Sequence, residues 1–251
     1  MIEALAPVFA GPLDFARHWL ELAEAPEPLP RRPIALSTLL EEEVQRPLMA
    51  RHEARYPGGD RRAALSMWTQ YYCAQYLLSH LGAWLLLGRM LPFRPDDIAV
   101  LVLEDGTPDG FRLPHLGAVA EGPVDLEPLI REHLAPLFQS LQRHHRIAPR
   151  VLWTNAAVRV SAALNLARQQ PDVPPLRLLE AEALLAKPCW RDGSPNPLHG
   201  TQSRVEVEGE MVLRRRVCCL RYMLPGIAGC GATCPIKEGQ SAKPLPLLKS
   251  A

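Results

Sequence analysis

The sequence predicts an α+β fold that is mostly helical, with small antiparallel sheets and a cysteine-rich C-terminal tail. Long segments with helical periodicity dominate the chain, a short apolar run at 98–103 has the composition of a buried strand, and four cysteines crowd into 218–234. With 251 residues, 47% of them apolar, the chain can bury one large core and carry a smaller appendage. We therefore divide it into a core, 1–200, and a hairpin with the cysteine-rich segment, 201–251.

Composition excludes several partner classes. A net charge of +1 gives no overall attraction to nucleic acid. The apolar run at 76–87 is interrupted by Ser79 and His80 and is shorter than the ~20 residues of a membrane span. The N-terminus lacks the basic region of a signal peptide, so we expect a cytoplasmic protein. The 26 prolines, roughly twice the usual share, predict short and interrupted elements.

Helical periodicity and turn residues locate the remaining elements. We predict helices over 12–24, 37–56, 61–89, 125–145, 153–170 and 176–187. Ser37 is the expected N-cap of the second helix and Asn155 that of the fifth. The run 111–119 is expected to pair with the strand at 98–103, and 204–208 with 210–216 in a hairpin that leads into the cysteines.

The cysteine spacing is C-C-x10-C-x3-C, formed by Cys218, Cys219, Cys230 and Cys234. Four thiolates are what a 2Fe–2S cluster needs, two for each iron. Adjacent cysteines would point to opposite faces of a strand, so this assignment requires a bend near Cys218 and Cys219. The glycines on either side of Cys230 let the backbone approach a cluster closely.

Other uses of these thiols stay open at this point. A structural zinc site also takes four thiolates, but its usual C-x2–4-C knuckle is matched only by Cys230 and Cys234. Disulfides are disfavoured by the expected cytoplasmic location. The spacing favours iron–sulfur over zinc. Of the two solitary cysteines, Cys73 is expected to be a buried thiol and Cys189 is not assigned as a ligand.

Several segments together resemble the FhuF-type ferric-siderophore reductases. The C-terminal matches are 215–222, 224–226 and 230–235, and the upstream ones are 68–72, 152–156 and 196–198. The double cysteine is the most specific of them. One departure is the closing C-x3-C, where the family most often has C-x2-C.

The resemblance implies a cytoplasmic iron–sulfur reductase that releases iron from imported ferric siderophores, hydroxamates most often. Its metal ligands would be the four clustered cysteines. The N-terminal region also resembles a domain of siderophore synthetases, which lack the cysteine tail. No dinucleotide or Walker motif is present in the sequence, so an external ferredoxin-, flavodoxin- or flavoprotein-like donor is expected. The alternatives are a 2Fe–2S redox sensor or electron carrier and a zinc-stabilised interaction module.

Basic residues surround the first two cysteines. They are Arg214, Arg215, Arg216 and Arg221, with Lys237 a weaker candidate. They could form a cationic rim that receives the donor or the substrate, or a solvated hairpin edge that deters strand pairing. Tyr222 could pack over the cluster or a ligand, or be an ordinary core aromatic. His144 and His145 are expected at the tail of a surface helix, where cations suit the helix dipole.

Overall fold

A computed structural model of the protein describes residues 2–24, 30–236 and 240. The helices are α1 (Leu36–Leu39), α2 (Glu42–Glu53), α3 (Arg61–Leu87), α4 (Ala135–His145), α5 (Pro149–Ala167) and α6 (Pro175–Ala186). The strands are β1 (Leu20–Leu22), β2 (Arg32–Ala35), β3 (Arg89–Met90), β4 (Ala99–Val102), β5 (Pro108–Leu113), β6 (Ala118–Val119), β7 (Gln202–Val207) and β8 (Glu210–Arg215). A π-helical segment, Leu129–Leu134, leads into α4, and short 3-10 turns span Glu3–Phe9, Gly11–Ala16, Arg221–Met223 and Gly231–Thr233. The α+β prediction is confirmed.

Helix α3 is the centre of the fold. The Asp60 side chain accepts from the backbone N–H groups of Arg62 and Ala63 at its start, and Gly88 ends it in a left-handed conformation. Trp68 and Tyr72 are fully buried along it, and α5 packs beside it. Within the part of the chain that the structure describes, no helix has the length and apolar content needed to cross a membrane.

The strands form small sheets around this helix. The largest has the order β1-β5-β4-β2, with β4 antiparallel to both β2 and β5. Strand β1 runs parallel to β5, which adds one parallel pair to the antiparallel arrangement that the sequence predicts. The predicted hairpin is confirmed as β7 and β8, joined in a tight turn by Glu208 and Gly209, both with positive φ.

Two predicted helices are wrong in their extent. The segment 12–24 is a 3-10 turn followed by β1, because Leu20–Leu22 pairs with Phe111–Leu113 and this pairing overrides the local helical pattern. The segment 37–56 is divided between α1 and α2. Glu41, in an extended conformation, precedes α2, so Ser37 lies inside α1 and does not cap the longer helix.

Candidate metal centre

The cysteine segment begins where β8 ends. Arg215, the last residue of β8, is 4% exposed, and the chain then leaves the sheet before Cys218. Leu220 has a left-handed conformation, with φ of 63°, directly after the two adjacent cysteines. Its backbone N–H donates to Cys218 Sγ at 3.2 Å. The bend that the adjacent cysteines require is therefore present.

Turns on both sides of this segment bring the cysteine side chains near one another. The Sγ atoms of Cys219 and Cys230 lie 3.2 Å apart, although the residues are eleven positions apart in the chain. Gly231, with φ of 60°, turns the chain after Cys230 into a short 3-10 turn that ends at Cys234. Cys219 and Cys234 are buried at 2% exposure, whereas Cys218 and Cys230 are half-buried. All four are free thiols.

The thiols perturb one another's protonation. Hydrogen bonds from Cys218 and Cys230, together with the charge of Arg215, lower the pKa of the Cys219 thiol. The hydrogen bond to Cys219 and burial raise the pKa of Cys218, and the charge of Cys234 adds to this rise. The pKa of Cys230 is raised by its hydrogen bond to Cys219 and by burial. Cys219 therefore carries the thiolate charge, and its neighbours Cys218 and Cys230 lie close enough to hold their protons in response to it.

One pair of the cysteine donors is in close contact. Among the described residues, no three His, Cys, Asp or Glu side chains form a set that could hold a metal ion. Cys219 and Cys230 form the close pair, and the charges of Cys219 and Cys234 both contribute to raising the pKa of Cys218. A binuclear cluster takes two thiolates on each iron, so the four thiols of this segment match it in number.

The segment is anchored on the first turns of α3. Ser66 Oγ donates to the Cys219 carbonyl at 2.8 Å. Leu224 is buried in a small apolar cluster with Tyr56, Ala63, Ala64 and Met67, against which Leu220, Met223 and Ile227 also pack. Buried apolar area and a buried hydrogen bond therefore hold the cysteine segment against α3.

Asn155 is not the N-cap that the sequence predicts. Helix α5 begins six residues earlier at Pro149, where Ala148 is the N-cap, so Asn155 lies within the helix and is fully buried. Its side-chain amide donates to Ser66 Oγ at 3.1 Å and to Thr69 Oγ1 at 2.9 Å. Its Oδ1 accepts from the Arg215 guanidinium at 2.8 Å. Asn155 thus joins α3, α5 and β8 directly beneath the cysteine segment.

The predicted arginines occupy different environments. Arg215 is buried, and Arg214 Nε donates to the Ala232 carbonyl at 3.1 Å, within the cysteine segment. Arg216 is exposed, and Arg221 is half-buried. The buried Nε of Arg221 has no hydrogen-bond partner among the described residues. Lys237 lies outside those residues.

The core-aromatic interpretation of Tyr222 is wrong, because its side chain is 42% exposed beside the cysteine segment.

Sequence reasoning also missed Arg159 of α5. Burial, followed by the charges of Arg215 and other neighbours, lowers its pKa to about 10. The buried Nε of Arg159 has no hydrogen-bond partner in the described part of the chain. It lies one helical turn after Asn155, and nothing in the local sequence separates it from a surface arginine.

The two solitary cysteines lie apart from this centre. Cys73 is fully buried in α3, as expected, and burial raises its pKa to about 12. Cys189 is exposed, in an isolated bridge with Pro195. Neither is brought to the four clustered thiols.

Comparison with known proteins decides the family. Residues 66–213 match the family described as "Ferric iron reductase FhuF-like transporter". The chain belongs to the FhuF-like family. It is 25% identical over 233 residues to a protein named "Ferric siderophore reductase" from Escherichia coli (strain K12), with 88% of this chain and 86% of that protein covered. The FhuF-like match ends at Leu213, so the cysteine segment follows the matched region directly.

The FhuF-like fold is shared with a larger solved structure. The ATP-bound aerobactin synthetase IucA from a hypervirulent pathotype of Klebsiella pneumoniae has a TM-score of 0.55 and 16% sequence identity to this chain. The likeness covers 67% of this chain but only 37% of the synthetase. At this identity it establishes a common fold and confirms the predicted resemblance at that level.

Proposed function

We propose that this FhuF-like protein is a 2Fe–2S ferric-siderophore reductase. Family membership supports an oxidoreductase acting on ferric siderophores. The single observation that carries the cofactor assignment is the 3.2 Å approach of Cys219 and Cys230 within a four-thiol segment. Cys218, Cys219, Cys230 and Cys234 would hold the cluster, which when bound supplies a one-electron carrier.

The chain's own residues set the conditions for this chemistry. Ser66 and the apolar cluster around Leu224 fix the cysteine segment to α3. The cationic groups of Arg215 and Arg221 lie close enough to affect the pKa of Cys230. Positive charge beside a cluster favours its reduced, more negative state. Cys218 and Cys230 remain partly exposed, so one edge of the centre faces the surface, where an outer-sphere acceptor can approach.

The reaction would be one-electron reduction of Fe(III) held by an imported siderophore, in the cytoplasm. Hard oxygen donors hold Fe(II) less strongly than Fe(III), so reduction lets other ligands remove the iron. An external ferredoxin-, flavodoxin- or flavoprotein-like donor would restore the electron. No acid or base is required for this step.

The test is stopped-flow mixing of the anaerobically prepared, chemically reduced protein with ferrioxamine or ferrichrome and a ferrous chelator. Cluster reoxidation should accelerate with siderophore concentration, and the Fe(II)–chelator complex should appear in step with it. A cluster that remains reduced with hydroxamate, catecholate and citrate chelates alike would contradict the reductase function and support a sensor or carrier role. Stoichiometric zinc in a colourless sample would instead favour the interaction module.

A further inference from the structure

A cavity of about 480 Å³ opens beside the first turns of α3. Its walls come from α2, from the first turns of α3 and from the end of α4, including Met49, Ala64, Leu65, His145 and Arg146. This volume lies within the range of about 300–1,000 Å³ that small-molecule sites occupy. The cavity is therefore suited to a compact ligand.

The cavity carries an excess of positive charge. Its lining contains four arginines and two carboxylates, namely Arg46, Arg61, Arg62, Arg146, Glu53 and Asp60. Arg61 pairs with Glu53 at 3.0 Å and Arg62 with Asp60 at 2.9 Å, while Arg46 pairs with Glu42 on the same helix. Arg146 makes no ion pair with a residue in the described ranges. Its guanidinium remains available to an anion.

Two histidines of the lining have unused polar atoms. His52 is 1% exposed, and its Nδ1 is hydrogen-bonded to Thr107 Oγ1 at 3.1 Å. The Nε2 atoms of His52 and His145 are buried and have no hydrogen-bond partner among the described residues. Since leaving a buried polar atom unpaired costs about 1–3 kcal/mol, these two atoms indicate a ligand or ordered water in the cavity.

The cavity adjoins the candidate metal centre across one helix. Ala64 lines the cavity and also belongs to the apolar cluster that holds Leu224 of the cysteine segment. The first two turns of α3 separate the two sites, and a helix with its side chains is about 10 Å thick. Leu65 also lines the cavity, and the next residue, Ser66, donates to the Cys219 carbonyl, so an acceptor in the cavity would be one helix away from the cysteine segment, as outer-sphere electron transfer allows.

We propose that this cavity binds the ferric siderophore, and that it favours an anionic chelate that combines hydroxamate groups with free carboxylate. The proposal rests on the proposed reductase function and names its substrate site. Arg146 would pair with the carboxylate, and the two histidine nitrogens would contact polar groups of the chelate. The external donor would supply one electron, the four cysteines would hold the group that carries it, and the transfer would reduce Fe(III) to Fe(II) without forming a covalent bond.

The experiment separates binding from reduction by using gallium(III) chelates, which match the charge of the ferric complexes but are not reduced. Isothermal titration of the cluster-loaded protein compares an anionic citrate–dihydroxamate chelate, neutral gallium ferrichrome and cationic gallium desferrioxamine B. The variants are Arg146→Asn, which suits the left-handed conformation of that position, and His145→Gln. Arg143→Gln is the matched control, because Arg143 is exposed on the same helix and does not line the cavity.

The anionic chelate should bind most tightly, and each cavity variant should weaken it by about tenfold, as expected for a lost charge-assisted hydrogen bond. Arg143→Gln should leave the affinity unchanged. Equal affinities in all variants, or no preference for the anionic chelate, would overturn the assignment of the cavity. Fe(II) release by the wild-type protein is measured in parallel. Release without cavity binding would refute the site alone, and absence of release would refute the reductase function.

Discussion

Asn155 of α5 accepts a hydrogen bond from the guanidinium of Arg215 at 2.8 Å, and both side chains are buried. Arg215 is the last residue of β8, three positions before Cys218. The amide of Asn155 also donates to Ser66, whose hydroxyl donates to the Cys219 carbonyl. A continuous hydrogen-bonded path therefore runs from the centre of the helical core to the backbone of a proposed ligand.

The first prediction concerns this path. Asn155→Ala should lower the free energy of unfolding by about 2 kcal/mol, because it leaves a buried donor of Arg215 and buried acceptors of Ser66 and Thr69 without their partner. It should also speed loss of iron to a chelator. Urea unfolding and iron-release rates measure the two effects. The matched control is Asn165→Ala on the exposed side of the same helix, which should change neither. Equal effects of the two substitutions would contradict the role given to Asn155.

The second prediction concerns the ligands. Changing Cys218, Cys219, Cys230 or Cys234 to Ser should reduce the iron content below the expected value of about two irons and two sulfides per chain, because each removes a thiolate. Cys189→Ser is the control for general thiol loss, since Cys189 is exposed and its backbone bridges to Pro195, outside the cysteine segment. Iron and sulfide analysis with EPR of the reduced protein is the measurement. Full iron content in every Ser variant would exclude this cluster site.

The third prediction concerns charge beside the centre. Arg221→Gln should lower the reduction potential, because a half-buried cation stabilises the reduced cluster. Arg216→Gln removes the same charge from an exposed position, where salt screens it, and should change the potential less. EPR-monitored redox titration compares the two.

Neutralising Arg214 and Arg216 together should weaken the salt dependence of electron uptake. An unaltered potential and salt slope would favour the solvated-edge interpretation.

The fourth prediction concerns pH. Burial holds the pKa of His133 well below its usual value of 6.5. The neutral imidazole is fully bonded, with Nδ1 donating to the Phe93 carbonyl at 2.6 Å and Nε2 accepting from Tyr72 Oη at 2.7 Å. The unfolded chain therefore binds more protons than the folded one below pH 6.5, and the unfolding free energy should fall as pH decreases from there.

Each pH unit below 6.5 should remove at most about 1.4 kcal/mol through this residue. Urea unfolding at pH 7 and pH 5 measures the loss. His133→Asn should be less stable at pH 7 but should show a smaller decrease on acidification. The exposed His115 is the control position, and His115→Asn should preserve the wild-type dependence. An identical pH dependence in His133→Asn would show that other groups govern the acid sensitivity.

Much of this arrangement follows from local sequence patterns. Asp60 and Gly88 delimit α3 as capping rules predict, and the hairpin around Gly209 is specified by its turn residue. The split of 37–56 and the strand at Leu20–Leu22 depend on contacts with distant segments, so a local pattern could not reveal them. The spacing of the cysteines predicted that they act as a group. In the structure, the turns at Leu220 and Gly231 bring their side chains near one another.

The polar contacts beneath the cysteines were harder to predict. Asn155 is a residue type that often caps helices, so the sequence predicts an N-cap. Its hydrogen bonds to Ser66 of α3 and Arg215 of β8 appear only once these elements are packed together. Arg159 has no local feature that separates it from a surface arginine. The cavity beside α3 likewise combines residues from α2, α3 and α4 that are far apart in the chain.

All four clustered thiols lie within 17 consecutive residues, and the segment that carries them packs onto α3 through Leu224 and Ser66. Cofactor insertion would thus close only a short loop and would add little to the cooperativity of the helical core. The polypeptide is expected to complete folding before it acquires iron.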